Sequence, residues 1–482
     1  MNRRFVVGLA AVLAVGACSD QQEPSNESST PGSELASTSG TIGINVVLKA
    51  PATNADRAEL AKYGTLLDEV PELNGIRVRA KANQLPAIQA VPSVKAATPD
   101  AERQAIPIDA VDASNFADGQ SAWDQDVVNV TEFGTTARQV PYDGTGIFVA
   151  ILDTGLLPTW RQYFPQERIA EEHAIEFAGG GGDRGTVVTE PDRWENDVNS
   201  HGTHVTSTIL GYEFGTLGKF NGTAPMATVI PVKVLNQGGF GWASAIARGI
   251  VYVTELKTSG KLGSNPVVIN MSLGGGALEA FEKEAIDKAV AAGVIIVAAA
   301  GNEGTRGMSF PGAYAPVISA AATGWVSQWS SCVGRNPFNS WWRTCDVPES
   351  DVVANTYIAT FSSRSLAGQD LDVAAPGAWV VGPYQTNQSN FISLFFLSGT
   401  SMASPHVAGI VALMAQKNPS LTASQAEAIL EQTAISIPAG SRNIFDPSRG
   451  SHTVSWGSDA TGAGLATANA ALGTTVSKRR GK

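Results

Sequence analysis

Two kinds of apolar pattern divide this chain. Past about residue 141, apolar-rich runs at 147–152, 229–234 and 294–300, and others starting at Val267 and Val317, have the length and continuity of buried parallel strands. They alternate with helical-period segments near 202–211, 241–258, 277–292 and 402–416. Such alternation predicts an α/β domain over 141–474, a mainly parallel sheet with helices on both faces. A capped surface helix at 420–433 and a short one at 464–472 close it. Between 41 and 101 the pattern is smaller and mixed. Strands are expected at 44–48 and 73–78, helices at 55–63 and at 84–91 (interrupted near Pro86), and an extended stretch at 91–99, giving a small α+β unit. Residues 102–140 carry no strong pattern and read as a polar connector leading into the larger domain.

The N-terminus reads differently again. Arg3 and Arg4 precede an apolar run at 5–15 that is too short to span a bilayer and has signal-peptide form, ending in Gly16-Ala17-Cys18. Residues 18–40 are rich in Ser, Glu, Pro, Gln and Thr, so they cannot bury enough surface to order themselves and read as a tether. At the other end, 475–482 is a basic, solvated tail.

Three segments carry candidate chemistry. Ser401, in Gly399-Thr400-Ser401-Met402-Ala403-Ser404-Pro405-His406, opens a helical run, where free N–H groups and the helix dipole favour a developing anion. Pro405 is expected in the first turn. A serine there can equally be a simple cap. Asp153 ends the strand-like run at 147–152, at the carboxyl edge where open α/β sheets place their sites. His201 stands in Asn199-Ser200-His201-Gly202-Thr203-His204, and an imidazole titrates where a serine proton must be taken and returned. His201 and His204 are also spaced to share a metal, but no Glu lies between them as in zinc proteases.

The order Asp153, His201, Ser401, with all three flanking motifs, resembles the subtilisin-like serine protease family. The resemblance implies a nucleophile at Ser401, a base at His201 and an orienting carboxylate at Asp153, while His204 and His406 are structural. It makes Asn302, in Gly301-Asn302-Glu303-Gly304, an oxyanion donor beside the Ser401 amide. It assigns Ser272, Leu273 and Gly274 to one edge on which an extended peptide lies and Gly239, Phe240 and Gly241 to the opposing edge. The unit at 41–101 looks like an inhibitor propeptide whose extended tail occupies the active site until the chain cuts itself, between about Ala101 and Asp118. The segment 305–309, where the family places the floor of its primary specificity pocket, is trimmed, so the preference there is not legible. Structural calcium is common in the family, but the sequence assigns no ligands, and the catalysis implied needs no cofactor.

Cys18 resembles the lipidated cysteine of a bacterial lipoprotein, an ordinary secretory signal cut after Ala17 being the alternative. Cys332 and Cys345 then form a plausible disulfide, with a reduced pair as the other reading. Partners are therefore protein or peptide substrates, the chain's own propeptide, and a membrane through lipid at Cys18. The location is the bacterial cell envelope, or outside the cell after maturation. A net charge of −11 argues against nucleic acid. The acidic glycine-rich stretch 179–196 reads as a mobile loop. The tryptophans of 325–356 read as a small core of their own insertion. A non-catalytic peptide-binding protein on the same scaffold remains the alternative function.

Overall fold

A computed structural model describes residues 40–105, 107–112, 123–131, 138–213, 219–329, 347, 351–385 and 393–474. The expected signal peptide, Cys18, the tether, Cys332, Cys345 and the basic tail lie outside them.

The larger domain is organised by a mainly parallel sheet. Its strands run in the order Thr356–Ile358, Ile318–Trp325, Ile295–Ala299, Val267–Met271, Phe148–Asp153, Thr228–Lys233, Ile175–Ala178 and Val188–Glu190, with Val373–Pro376 also pairing with Ile318–Trp325. The two end pairings are antiparallel and the rest parallel. Strand alternation splits the core in two. Val149 and Ile151 pack with the helices His201–Leu210 and Thr400–Lys417, whereas Ala150 and Leu152 pack with Ala243–Thr258 and Ala280–Ala291. Both faces are thus covered, as the unbroken apolar strands require.

The N-terminal unit is a four-stranded antiparallel sheet, ordered Gly64–Val70, Gly75–Lys81, Thr41–Leu48 and Val94–Pro99. It has its own core of Ile44, Val46, Leu60, Ile76, Val78 and Ile88. The first of these strands escaped the sequence reading because its residues are only half-buried and carry no clean alternation. Pro86 does not interrupt the second helix; it sits in the first turn of Leu85–Gln89, where its missing N–H is no loss. The unit docks on the Ala280–Ala291 helix, and Gly75 lies so close to Phe281 that an added Cβ would be 2.6 Å from Cζ.

Three further expectations are corrected. The connector is not featureless. Glu102–Gln104 forms a strand against Phe240–Trp242, and Asp109–Asp112 forms one against Leu394–Ser398. Neither has a hydrophobic signature, because each borrows its order from a waiting edge. Nor is the loop after Ile175–Ala178 free: the N-terminal unit pins it. Arg77, fully buried, donates to the carbonyls of Gly182 (2.9 Å) and Gly185 (2.7 Å), and Gly182 N–H donates to Asp100 (2.8 Å). The described tryptophans Trp325 and Trp329 belong to the main core, Trp329 lying 5.8 Å from Trp379 and 5.3 Å from Phe396 between ring centres.

Candidate active site

Asp153 is the last residue of its strand and is wholly buried. One carboxylate oxygen accepts the Thr154 N–H at 2.7 Å, and both face His201 Nδ1, at 2.9 and 3.0 Å. A carboxylate there fixes the imidazole proton on Nδ1 and leaves Nε2 as the base. Nε2 is buried and has no hydrogen-bond partner among the described residues. His201 opens its helix, and Gly202 follows because an added Cβ would stand 2.3 Å from the Gly155 carbonyl.

The turn before His201 is strained, with Ser200 at φ 68°, a left-handed conformation uncommon for serine. Asp197 holds it, accepting from Asn199 N–H (2.8 Å), Ser200 N–H (3.0 Å) and Thr154 Oγ1 (2.9 Å). Thr154 Oγ1 in turn accepts from Gly202 N–H at 2.9 Å, locking the Asp153 strand to the His201 helix. Burial pushes the Asp197 carboxyl up to about 6, while nearby Lys233 pulls it down. Sequence reasoning missed Asp197; its place three residues before Ser200, ahead of a helix, was the available signal.

Ser401 is the second residue of its helix, which is capped by Gly399 without a side-chain bond, so the serine is not the cap. Its Oγ donates to the Ser272 carbonyl at 3.1 Å rather than to His201. Pro405 lies inside the helix, not in its first turn. Its missing N–H frees the Ser401 carbonyl four residues earlier, and Ser272 Oγ donates to that carbonyl at 2.8 Å. Asn302 Oδ1 accepts from both Thr400 N–H and Thr400 Oγ1 at 2.9 Å, which fixes the amide and leaves Nδ2 as a donor near Ser401.

The other histidines are engaged elsewhere. His204 Nε2 donates to the Val380 carbonyl at 3.1 Å, and burial, helped by His201, pushes its pKa down to about 3, so it stays neutral. His406 contacts the Met402 carbonyl (2.8 Å) and Asp124 (3.0 Å), tying the Ser401 helix to Trp123–Val127.

The two expected peptide edges face each other, and a strand of the same chain lies between them. Gln104 exchanges both backbone bonds with Gly274 at 3.0 Å. Ala105 N–H donates to the Gly239 carbonyl at 2.8 Å, and Gln104 and Arg103 lie opposite Phe240 and Gly241. Farther on, Ile108 N–H donates to the Ser398 carbonyl at 2.7 Å. Beside this strand is a cavity of about 330 Å³ lined by Leu273, Gly274, Asn302, Arg306, Ser309 and Ser401. Glu303 also reaches it, its carboxylate accepting from Ser309 (2.8 Å) and Ser363 (2.9 Å).

For metals, one group among the described residues has the spacing: Asp370, Asp372 and Glu427, with ligand atoms within 4.8 Å of one another. Burial, and then mutual repulsion, push Glu427 up to about 7. The group takes no part in the site around Ser401.

The sequence matches the subtilase family over residues 144–473. It is 34% identical to subtilisin DY of Bacillus licheniformis over 301 residues, covering 61% of this chain and 86% of that one. It is 30% identical to the thermostable alkaline protease of Halalkalibacterium halodurans over 394 residues, 81% of this chain and 85% of the other. Among solved structures, fervidolysin from Fervidobacterium pennivorans, described as a keratinolytic enzyme related to subtilisin, aligns with a TM-score of 0.62 at 22% identity. That alignment covers 92% of this chain and 62% of fervidolysin. Sphericase aligns with a TM-score of 0.52 at 26% identity, over 73% of this chain and 99% of the other. This chain belongs to the subtilase family and is a subtilisin-like serine endopeptidase.

Proposed function

We propose that the site around Ser401 cuts peptide bonds through an acyl-enzyme, using protein groups alone. A peptide lies between the Gly239–Gly241 and Ser272–Gly274 edges. Its residue two beyond the one paired with Gly274 meets the Ser272 carbonyl and displaces the Ser401 hydroxyl, which turns toward His201. His201 Nε2 takes the proton as Ser401 Oγ attacks the scissile carbonyl, and Asp153 stabilises the imidazolium. Asn302 Nδ2 and the Ser401 N–H, an orphan donor of the helix start, bind the oxyanion. The imidazolium protonates the leaving amine, and water, activated by His201, releases the acyl group.

The observation that carries this reading is the Asp153–His201 pair, with Nε2 unpartnered beside a cleft already shaped to a peptide strand. A fluorophosphonate tests it: the processed protein should label at Ser401. A folded protein that never labels would sink it.

The N-terminal unit is then the chain's own inhibitor, its tail filling the cleft until the enzyme cuts itself between about Ala101 and Asp118. The chain is exported. Lipid on Cys18 holds the precursor at the membrane, processing releases the mature enzyme, and Cys332 and Cys345 pair outside the cytoplasm. In Ser401→Ala the catalytic domain should stay with membranes. A Cys18→Ser, Ser401→Ala protein that still pellets with them would rule out that anchor.

A further inference from the structure

The threaded strand carries one side chain that backbone pairing does not explain. Arg103 is fully buried, and so is Glu282, in the first turn of the Ala280–Ala291 helix. The two meet fork to fork, Arg103 Nε donating to Glu282 Oε1 at 3.0 Å and Nη2 to Oε2 at 2.5 Å. Nη2 also donates to the Ala277 carbonyl at 2.7 Å, and Nη1 to the Glu102 carbonyl at 3.2 Å. Gly275 makes the room, since an added Cβ would lie 2.8 Å from Nη1. Glu279, also buried, turns away: its oxygens serve Thr98 Oγ1 and the N–H groups of Phe281 and Glu282.

A carboxylate in the first turn of a helix is ordinary, because the dipole favours it. A carboxylate with no exposed surface is not, unless a cation is supplied. Here the cation comes from the strand occupying the cleft, not from the wall that holds Glu282. The strand's register is set from both sides: Gln104 pairs with Gly274 and Ile108 with Ser398. Gln104, Pro107 and Ile108 line the cavity that holds Ser401, and counted back from a scissile bond just before Pro107, Arg103 is the fourth residue upstream.

We propose that Glu282, with the Ala277 carbonyl, forms an acidic subsite that selects substrates with arginine four positions before the scissile bond. This rests on the reading of the cleft as the peptide-binding site. Bidentate geometry favours arginine over lysine, whose ammonium is a single point of charge. An apolar residue at that position leaves Glu282 desolvated and unpaired, and a site built for a polar partner rejects a ligand that lacks it.

The test uses the full chain after it has processed itself, with active sites counted by fluorophosphonate titration. Quenched fluorogenic peptides differ only at the fourth upstream position, carrying arginine, lysine, citrulline or leucine. In wild type, arginine should exceed leucine by about 30-fold or more in kcat/KM, with lysine and citrulline between. The ratio of arginine to leucine within one protein is the readout, so lower yield or activity of a variant does not blur it. Glu282→Gln should bring that ratio close to one, and Glu282→Leu should invert it. Turnover of the leucine peptide with no preference for arginine in wild type, or a ratio unmoved in Glu282→Gln, would overturn the subsite and leave the endopeptidase standing. No turnover of any peptide would overturn both.

Discussion

The catalytic centre is buried, the strand threaded past it alternates between buried and exposed residues, and the two are held in opposite ways. Asp153, His201 and Ser401 are fixed by few bonds, all from within the larger domain, and one atom, His201 Nε2, is left without a partner among the described residues. The strand Glu102–Gln104 and the described residues after it are held by backbone bonds to neighbouring edges, with a charged anchor at Arg103. A centre that moves a proton needs a lone pair kept in reserve. A strand that must later leave needs a hold that any extended peptide can take over. The difference teaches that affinity in this cleft is spread along the backbone, whereas chemistry is concentrated on a few atoms.

The largest effect breaks the chemical half. Ser401→Ala should lower kcat by about 10⁶-fold and should accumulate as the full-length precursor, while wild type shows a smaller band. Equal processing of both in a protease-deficient host would mean that another protease does the cutting. Asn302→Ala removes one oxyanion donor. It should lower kcat by about 10²–10³-fold with little change in KM, because the amide acts on the transition state and not on the strand. A change confined to KM would place Asn302 in binding instead.

The same contrast explains what the sequence could and could not convey. Asp153, His201, Asn302 and Ser401 each sit in a short motif at the end of a strand or the start of a helix, so a few consecutive residues reveal both element and role. The sheet was legible for a similar reason, since its strands are buried on both faces and read as unbroken apolar runs. Arg103 and Glu282 are 179 residues apart, and nothing local distinguishes them from a connector residue and a helix-start acid. Asp197 was hidden because its work is done for the backbone of its neighbours. Pro405 was misplaced because the bond it frees is made by Ser272, which is remote in sequence.

Two changes to the strand, and one to the carboxylate that holds it, sharpen the other half. Arg103→Ala in a Ser401→Ala background leaves Glu282 buried without its cation, so the precursor should lose about 3–5 kcal/mol of stability in urea unfolding. Adding Glu282→Gln should recover part of that loss. No recovery would mean that packing of the arginine stem, not charge pairing, holds the strand. Pro107 bears on timing. Its ring carbon takes the place of the hydrogen on the leaving nitrogen, and the residue before it is restricted, so the threaded bond is a poor substrate. Pro107→Ala should therefore speed processing by about tenfold, the rate span of a modest barrier change, with a new N-terminus at position 107. Finding Pro107 as the N-terminus of the wild-type mature enzyme would refute this account.

The smallest effect is on pH. Glu279 joins the two regions: its carboxylate accepts from Thr98 of the N-terminal unit and from the N–H groups that open the Ala280–Ala291 helix. Burial, then repulsion from Asp100, pushes it up to about 7, from an ordinary 4.5. A carboxyl raised on folding binds more protons in the folded chain than in the unfolded one. Its contribution is therefore complete below about 4.5 and is lost as pH rises through about 7. The Ser401→Ala precursor should melt at progressively lower temperature from pH 5 to pH 8, and Glu279→Gln, which cannot ionise, should flatten that decline. The same substitution should matter less once the N-terminal unit has gone, because water then reaches the carboxyl and its pKa relaxes. A slope equally steep in Glu279→Gln would assign the pH dependence to other buried carboxyls, such as Asp197, and would place it on the catalytic side of the comparison.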